Sequence, residues 1–457
     1  MNEPIPHHVT ESHDRLTLKL VEHTQRIDAT ELPLDVREIA RQCVLDWVGV
    51  ALGGAGDHLT RILLDEAVAE GGKPQAAVVG HAARVTASQA ALVNGASSHV
   101  LDYDDVNLSL NGHPSASILP GLLALAESRG AQGKELVEAF VAGYEIACRV
   151  GLLVAPGHYA RGYHATCTVG ALGSAAACAR LLKLDTERTA HAIGIAATQA
   201  GGLKSMFGTE CKPFHAGVAA HNGLRAARLA AAGVISRPDV LECRQGFAAT
   251  LSPDFNPDTA LADPARFFIR ENLFKYHASC YGTHASIECI RQLREAHAIE
   301  PQDLARVKLR VDKGSDTMCN IPNPRTALEA KFSLRFMGAA ALAGADTSDL
   351  AFFEDEMTAD PALCALRDKV SVELVSDRPK MLAEVVIETR DGRVVRANHD
   401  AGVPGTDVAL QGRRLVAKFE RLAEPVLGRE RCGKLLGRLE QLEQTPIAEL
   451  MAACAKN

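Results

Sequence analysis

The stretch from Ser115 to Val234 most constrains this chain: apolar residues recur there at three- and four-residue spacing, and the gaps are filled largely by Ala and Gly. Segments such as PGLLALAESRG, GKELVEAFVAGYEIACRVGLLV, TVGALGSAAACARLLKL, DTERTAHAIGIAATQAGGL and HAGVAAHNGLRAARLAAAGV predict successive helices. A helix with small residues on several faces can be approached closely from several sides, which predicts the interior of a helical bundle. The same periodicity reaches back to residue 14 through LTLKLVEHTQRI, PLDVREIARQCVLDWVGVALGG, HLTRILLDEAVAEGG and TASQAALVNGASSHVLDYDD. Two of these segments end in Gly pairs, which suit a helix C-terminus.

The pattern changes near residue 270. ARVKLRVDKG, KVSVELVSD and MLAEVVIETRDGRVVRANHD alternate with period two, and Asp391-Gly392 between VVIET and VVRA predicts a hairpin turn. HASIECIRQLREAHA and PRTALEAKFSLRFMGAAALAG lie among these strands as helix candidates, and GRRLVAKFERLAEPVLG and CGKLLGRLEQLEQTPIAELMAAC are helical again. The expected organisation is a helical domain over residues 1–269, an α+β segment over 270–400, and C-terminal helices over 401–457 that rejoin the first domain. The α+β unit is then an insertion, and the cleft beside it is the default ligand site.

With 457 residues, of which 47% are hydrophobic, the chain is long enough for large cores and more than one domain. A net charge of −7, with no basic run interleaved with aromatics, argues against a nucleic-acid binder and against an anionic membrane surface as partner. The N-terminal MNEPIPHHVTESHDRL lacks the basic and apolar regions of a secretory signal, so the expected location is the cytoplasm. The 12 cysteines show no CxxC and no repeated spacing, which predicts buried thiols rather than a metal site. GxGxxG and GxxxxGK[ST] are absent, so neither a dinucleotide nor a P-loop fold is expected.

Chemistry concentrates in four loops. In LDYDDVNLSLNGHP, Asp102, Asp104 and Asp105 surround Tyr103, and His113 follows before an apolar helix. Carboxylates this close repel one another, so a cationic partner or a raised pKa is expected; a solvated, capping turn is the plainer alternative. HYARGYHATCTVG brings His158, Tyr159 and His164, GTECKPFHAG brings Lys212 and His215, and LFKYHASCYGTHAS brings Lys275, His277, Cys280 and His284. A single His or Lys at a helix end is usually a cap, but their repetition beside an acidic loop suits binding of a polycarboxylate.

HVLDYDDVNLSLNGHPSASILPGLLALAE, GYHATCTVGALGSAAACARLLKLD, ATQAGGL followed by CKPFHAGVAA, and EAKFSLRF together resemble the MmgE/PrpD family, which includes 2-methylcitrate dehydratases, cis-aconitate decarboxylases and iminodisuccinate epimerases. The resemblance implies a mainly α fold, with a large all-helical domain built from both chain ends and an inserted smaller α+β lid domain. It also implies a homodimer that needs neither metal nor organic cofactor. Matched by motif, the implied catalytic residues are Asp102, His113 and His164, and the substrate-binding ones are Lys212 and Lys275, joined by Cys280 and His284 from the same loop. Val106, Cys280 and Met318 stand where the decarboxylases carry Thr, His and Tyr, and the loop before His113 is one residue longer, which disfavours decarboxylation. The expected activity is therefore a cofactor-independent hydro-lyase that dehydrates a hydroxylated di- or tricarboxylate. Epimerisation of a dicarboxylate is the alternative, and a non-catalytic binding protein comes last. In this scheme lysines stabilise charge on the substrate carboxylate, and His113 or His164, paired with Asp102, takes the adjacent proton.

Overall fold

The computed structural model describes residues 15–28 and 30–456, so the segment read above for targeting character lies almost wholly outside the described residues. No helix among them is long and apolar enough to cross a membrane. The chain divides into two compact units. The first runs to Val100, resumes over Asp104–Asn272 and takes the chain from Leu422 onward; the second consists of Leu101–Tyr103 and Leu273–Arg421.

Long helices dominate the first unit: Leu34–Gly54, Ala87–Ser97, Pro114–Arg129, Gly133–Val154, Ala165–Leu181, Thr186–Ala197 and Cys211–Ala231. Their Gly and Ala content sets how closely they pack. A Cβ added to Gly217 would stand 2.3 Å from the Leu92 carbonyl oxygen, and one on Gly121 2.6 Å from that of Ala220, so backbones touch where side chains would otherwise intervene. Large side chains fill the remaining space, with Trp47, Phe140 and Tyr144 wholly buried. The C-terminal helix Ile447–Cys454 is tied in by backbone bonds from Gly80 N–H to the Cys454 carbonyl (2.9 Å) and from Ile447 N–H to the Ala131 carbonyl (3.0 Å).

The second unit holds a four-stranded mixed sheet. Writing β1 (Ala76–Ala77) and β2 (Arg84–Val85) for a short antiparallel pair in the first unit, the sheet comprises β3 (Leu304–Asp312), β4 (Val370–Val375), β5 (Leu382–Thr389) and β6 (Val394–Asp400), in the order β4-β3-β5-β6. β3 and β4 run parallel, whereas β3–β5 and β5–β6 are antiparallel, and the β5–β6 hairpin turns at Asp391-Gly392 with Gly392 at φ 89°. Period-two alternation puts Ala383, Val385 and Ile387 of β5 into the core. There they join Val307 and Leu309 of β3 and the apolar faces of helices Tyr281–His297 and Leu334–Ala343, through Ile287, Ile290 and Met337.

The expected fold class is corrected. The first unit is not all-helical, because β1 and β2 pair within it through Ala76↔Val85 and Ala77↔Arg84. Nor is the second unit one inserted block, since it also takes Leu101–Tyr103 and the first part of helix Val408–Leu427. The sheet is mixed, through the parallel β3–β4 pair, so the chain is a helical protein with a mixed four-stranded sheet in its C-terminal part. Nothing in this fold assigns the second unit the work of a lid.

Candidate active site

Within the first unit the acidic loop is folded by its own side chains. Asp105 accepts from Ser115 Oγ (2.6 Å) and Ser115 N–H (3.3 Å), so it caps the helix Pro114–Arg129 from outside that helix. Asn107 and Gly112 close the loop as an antiparallel bridge, helped by the left-handed Asn111 at φ 57°. Gly112 presses on the start of the next helix, where a Cβ would lie 2.8 Å from Thr166 Oγ1, and His113 N–H donates to that hydroxyl at 3.2 Å. Two helix N-termini are thereby brought together. His113 is the N-cap residue of Pro114–Arg129, and His164 that of Ala165–Leu181.

Between these imidazoles sits a residue that sequence reasoning did not assign. His99 Nδ1 lies 2.9 Å from Asp104 Oδ1, and His113 Nδ1 lies 2.9 Å from Asp104 Oδ2, so one buried carboxylate serves two imidazoles. Burial works against the charge on Asp104, but the His113 and His99 imidazoles outweigh it and hold the carboxyl well below its ordinary value. Its neighbour behaves oppositely. Burial, with added repulsion from Asp46 and Asp104, raises Asp105 to about 7 despite the Ser115 hydrogen bond. The acidic loop thus separates into one firmly ionised carboxylate and one poised near neutrality, the divergence that crowded acids predict.

His99 stacks 6.2 Å from His164, and the His99 and His113 rings meet edge-on at 4.4 Å. His164 Nδ1 is 3.0 Å from His215 Nδ1, so only one of these two nitrogens carries a proton when they bond. Burial first, then the nearby His99, Lys212 and His113, lower the His164 pKa well below its ordinary value. Burial and His99 likewise lower His215. Both rings are neutral at pH 7. Lys212, half-buried in the first turn of helix Cys211–Ala231, stands 5.6 Å from the Phe207 ring, which also meets the His164 ring edge-on at 5.0 Å. His113, His164 and Lys212 are therefore gathered by three helix starts, whose free N–H groups favour anions.

Not every expected histidine joins them. His158 is occupied on both nitrogens, by Thr168 Oγ1 at 2.7 Å and the Leu251 carbonyl at 3.1 Å, which is the bonding of a structural residue. His99, Asp104 and His113 each offer a ligand atom, all within 4.8 Å of one another, and could hold a metal ion; both Asp104 oxygens are already engaged by imidazole nitrogens at 2.9 Å.

The second unit contains the other expected residues. Asp102 has φ 51°, a left-handed backbone that L residues seldom adopt, and its Oδ1 lies 3.1 Å from Lys275 Nζ. Lys275 is 1% exposed and also donates to the Asp102 carbonyl at 2.5 Å. The carboxylate placed on the His113 Nδ1 is thus Asp104, where sequence reasoning had assigned Asp102. Cys280 is the buried N-cap of helix Tyr281–His297, and a hydrogen bond from Cys319, opposed by burial, lowers its pKa. His284 is buried one turn on, 3.3 Å from the Ser279 carbonyl, and is kept neutral by burial, His277 and Lys275. Met318 lies against Gly282, where a Cβ would come within 2.9 Å of its sulfur.

The missed residues carried a weak signal. His99 lies five positions before Asp104, at the end of a small-residue helix, and only the turn at residues 98–102 brings it back onto the carboxylate.

Comparison with known proteins agrees with the motifs. The family model for the MmgE/PrpD N-terminal domain matches residues 19–260, and that for the MmgE/PrpD C-terminal domain matches residues 277–441. The cis-aconitate decarboxylase-like protein oryM of Aspergillus oryzae is 27% identical over 96% of this chain and 96% of its own length. Cis-aconitate decarboxylase of Homo sapiens is 29% identical over 82% of this chain and 80% of its own. That of Aspergillus terreus is 24% identical over 97% of both. With matches to both domains of the family spanning nearly its whole length, this chain belongs to the MmgE/PrpD family.

Proposed function

We propose that this protein is a lyase that removes a proton next to a carboxylate of a small polycarboxylate, and that the specific reaction is dehydration of a hydroxylated di- or tricarboxylate. The observation that carries this reading is the opposed electrostatics of two neighbouring imidazole sites. His164 is buried and neutral, whereas His113 faces the ionised Asp104 at 2.9 Å.

In the proposed step, His164 takes the proton from the carbon beside a substrate carboxylate. The electron pair moves into that carboxylate, where the Lys212 ammonium stabilises the extra charge. The pair then returns to form the carbon–carbon double bond as the C–O bond on the neighbouring carbon breaks. His113, in its protonated form balanced by Asp104, gives its proton to the departing oxygen, which leaves as water. Lysines supply the charge stabilisation and no cofactor enters. A catalytic role for Asp102 and substrate-binding roles for Lys275, Cys280 and His284 belong to the same proposal and rest on the matching motifs.

Decarboxylation is the second reading, favoured by the names of the relatives. Against it stand Val106, Cys280 and Met318, which replace hydroxyl or imidazole groups able to return a proton once CO2 has left. Incubation with hydroxylated tricarboxylates should generate far-ultraviolet absorbance from a conjugated alkene. Release of CO2 from an unsaturated tricarboxylate would establish decarboxylation instead, and deuterium uptake from solvent without new absorbance would establish epimerisation. Lys212→Ala is expected to lower kcat/KM by roughly 10- to 150-fold while leaving the circular dichroism spectrum unchanged, because one charge-assisted contact is worth about 1.5–3 kcal/mol. Wild-type kinetics in this variant would remove Lys212 from the site.

A further inference from the structure

A cavity of about 680 Å³ lies wholly within the second unit and falls in the size range of small-molecule sites. Two helices line it with cations. Arg414, Lys418 and Arg421 follow one another at four- and three-residue spacing along Val408–Leu427, and Arg291 and Arg294 do so along Tyr281–His297. Glu295, Glu300 and Asp346 are the acids of the lining, so basic groups outnumber acidic ones five to three.

Four of these cations are held in fixed positions, and the fifth, Arg291, is exposed. Arg294 is anchored by neutral acceptors, donating to the Ala341 carbonyl at 3.1 Å and the Ile299 carbonyl at 3.4 Å. Its guanidinium occupies space that only a glycine leaves open: a Cβ on Gly344, whose φ is 78°, would lie 2.9 Å from Arg294 Nη1. Arg414 lies 3.6 Å over the Tyr276 ring while it pairs with Glu288 at 3.0 Å, and Arg421 pairs with Asp346 at 2.6 Å. Lys418 is only 6% exposed. It donates to the Tyr103 carbonyl at 2.6 Å and the Lys275 carbonyl at 3.0 Å, so it connects the cavity to the backbone that carries Asp102 and Lys275. Rigid guanidinium forks around an open volume are suited to carboxylate or phosphate groups.

We propose that this cavity is a binding site for a small polyanion, distinct from the histidine cluster of the first unit, and that occupancy acts on Lys275 through Lys418. The binding claim stands without the proposed reaction; only the effect on turnover rests on it. Titration calorimetry on the full-length protein should use inorganic pyrophosphate and, separately, tricarballylate, with Arg291→Glu and Lys212→Ala as variants. Arg291 is exposed and its replacement leaves the core untouched. Saturable pyrophosphate binding weakened about tenfold or more by Arg291→Glu and unchanged by Lys212→Ala is the expected result, and for tricarballylate, which the proposed histidine site also takes, the component that survives in Lys212→Ala is the one that Arg291→Glu weakens. Preference for one probe identifies the anion as phosphate or carboxylate. Arg294→Lys provides a second reading, since a point charge keeps the sign but loses the fork, and an intermediate loss of affinity is expected. The proposal is overturned if neither probe binds at millimolar concentration, if binding is lost in Lys212→Ala and kept in Arg291→Glu, or if Arg291→Glu only dissociates an oligomer without affecting anion binding. Wild-type turnover that stays unchanged while pyrophosphate saturates the cavity would sink the coupling to Lys275 alone.

Discussion

At the scale of single residues, Asp104 is a buried carboxylate shared by two imidazoles, and the proposed reaction gives it the work of balancing a protonated His113. Asp104→Asn keeps the shape and removes the charge. A protonated His113 then loses its counter-charge, and the amide can present an N–H where an acceptor is needed, so the favoured imidazole tautomer changes. The expected outcome is a fall in kcat on the order of 10² to 10⁴, comparable to the loss of a general acid, with the alkaline limb of the pH–rate profile moving to lower pH as His113 becomes easier to deprotonate. A purely structural Asp104 would instead change the unfolding midpoint and leave the profile in place. His99 acts through Asp104 and is a positioning residue in this scheme; its Nε2 is buried without a hydrogen-bond partner among the described residues.

At the scale of elements, the Ala- and Gly-rich periodicity foretold the helices well, because small residues at 3.6-residue spacing leave little choice but close helix packing. Gly217 shows the consequence. On helix Cys211–Ala231, which carries Lys212, an added Cβ would meet the Leu92 carbonyl at 2.3 Å, and a helix backbone cannot yield locally. Gly217→Ala is therefore expected to destabilise by about 1–3 kcal/mol even though Ala is the better helix former. Gly433→Ala, on helix Arg429–Glu440 with nothing within 4 Å of its Cβ position, should instead stabilise by up to about 1 kcal/mol. Urea midpoints of the two variants moving in the same direction would refute this. What periodicity could not show was equally specific. β1 and β2 span two residues each, too short to display alternation. The run PRTALEAKFSLRFMGAAALAG breaks into Ala327–Lys331 and Leu334–Ala343 because Ser333 caps the second helix, accepting from Phe336 N–H at 3.2 Å. The His99–Asp104 pairing depends on a turn, and His164–His215 spans 51 positions, so neither is written in any local pattern.

At the scale of the whole molecule, histidines buried as neutral rings make stability depend on pH in a calculable direction. Burial lowers the pKa of His158, of His164 and of His284, the last two well below the ordinary 6.5 and both further depressed by neighbouring cations or imidazoles. In the unfolded chain each titrates near 6.5, so below that pH the unfolded state binds protons that the folded state refuses. The contribution of these rings is therefore fully retained above about pH 6.5 and falls as the pH drops beneath it, by roughly 1.4 kcal/mol per pH unit for each ring that stays neutral in the fold, while Asp105 and Glu145, both raised to about 7, work in the opposite direction by binding protons that the unfolded chain does not. Asp104 adds a loss at lower pH: its carboxyl is held well below 3.8 in the fold, so its contribution is present above that value and disappears as acid protonates it. Two successive slopes are expected when urea unfolding is followed from pH 7.5 downward, the first beginning near 6.5. His164→Gln should flatten the first slope by about one proton's worth and leave the lower one unchanged. An unchanged slope between pH 7 and 5 in His164→Gln would mean that this ring is protonated in the folded protein, and a protonated His164 could not serve as the base that the proposed reaction requires.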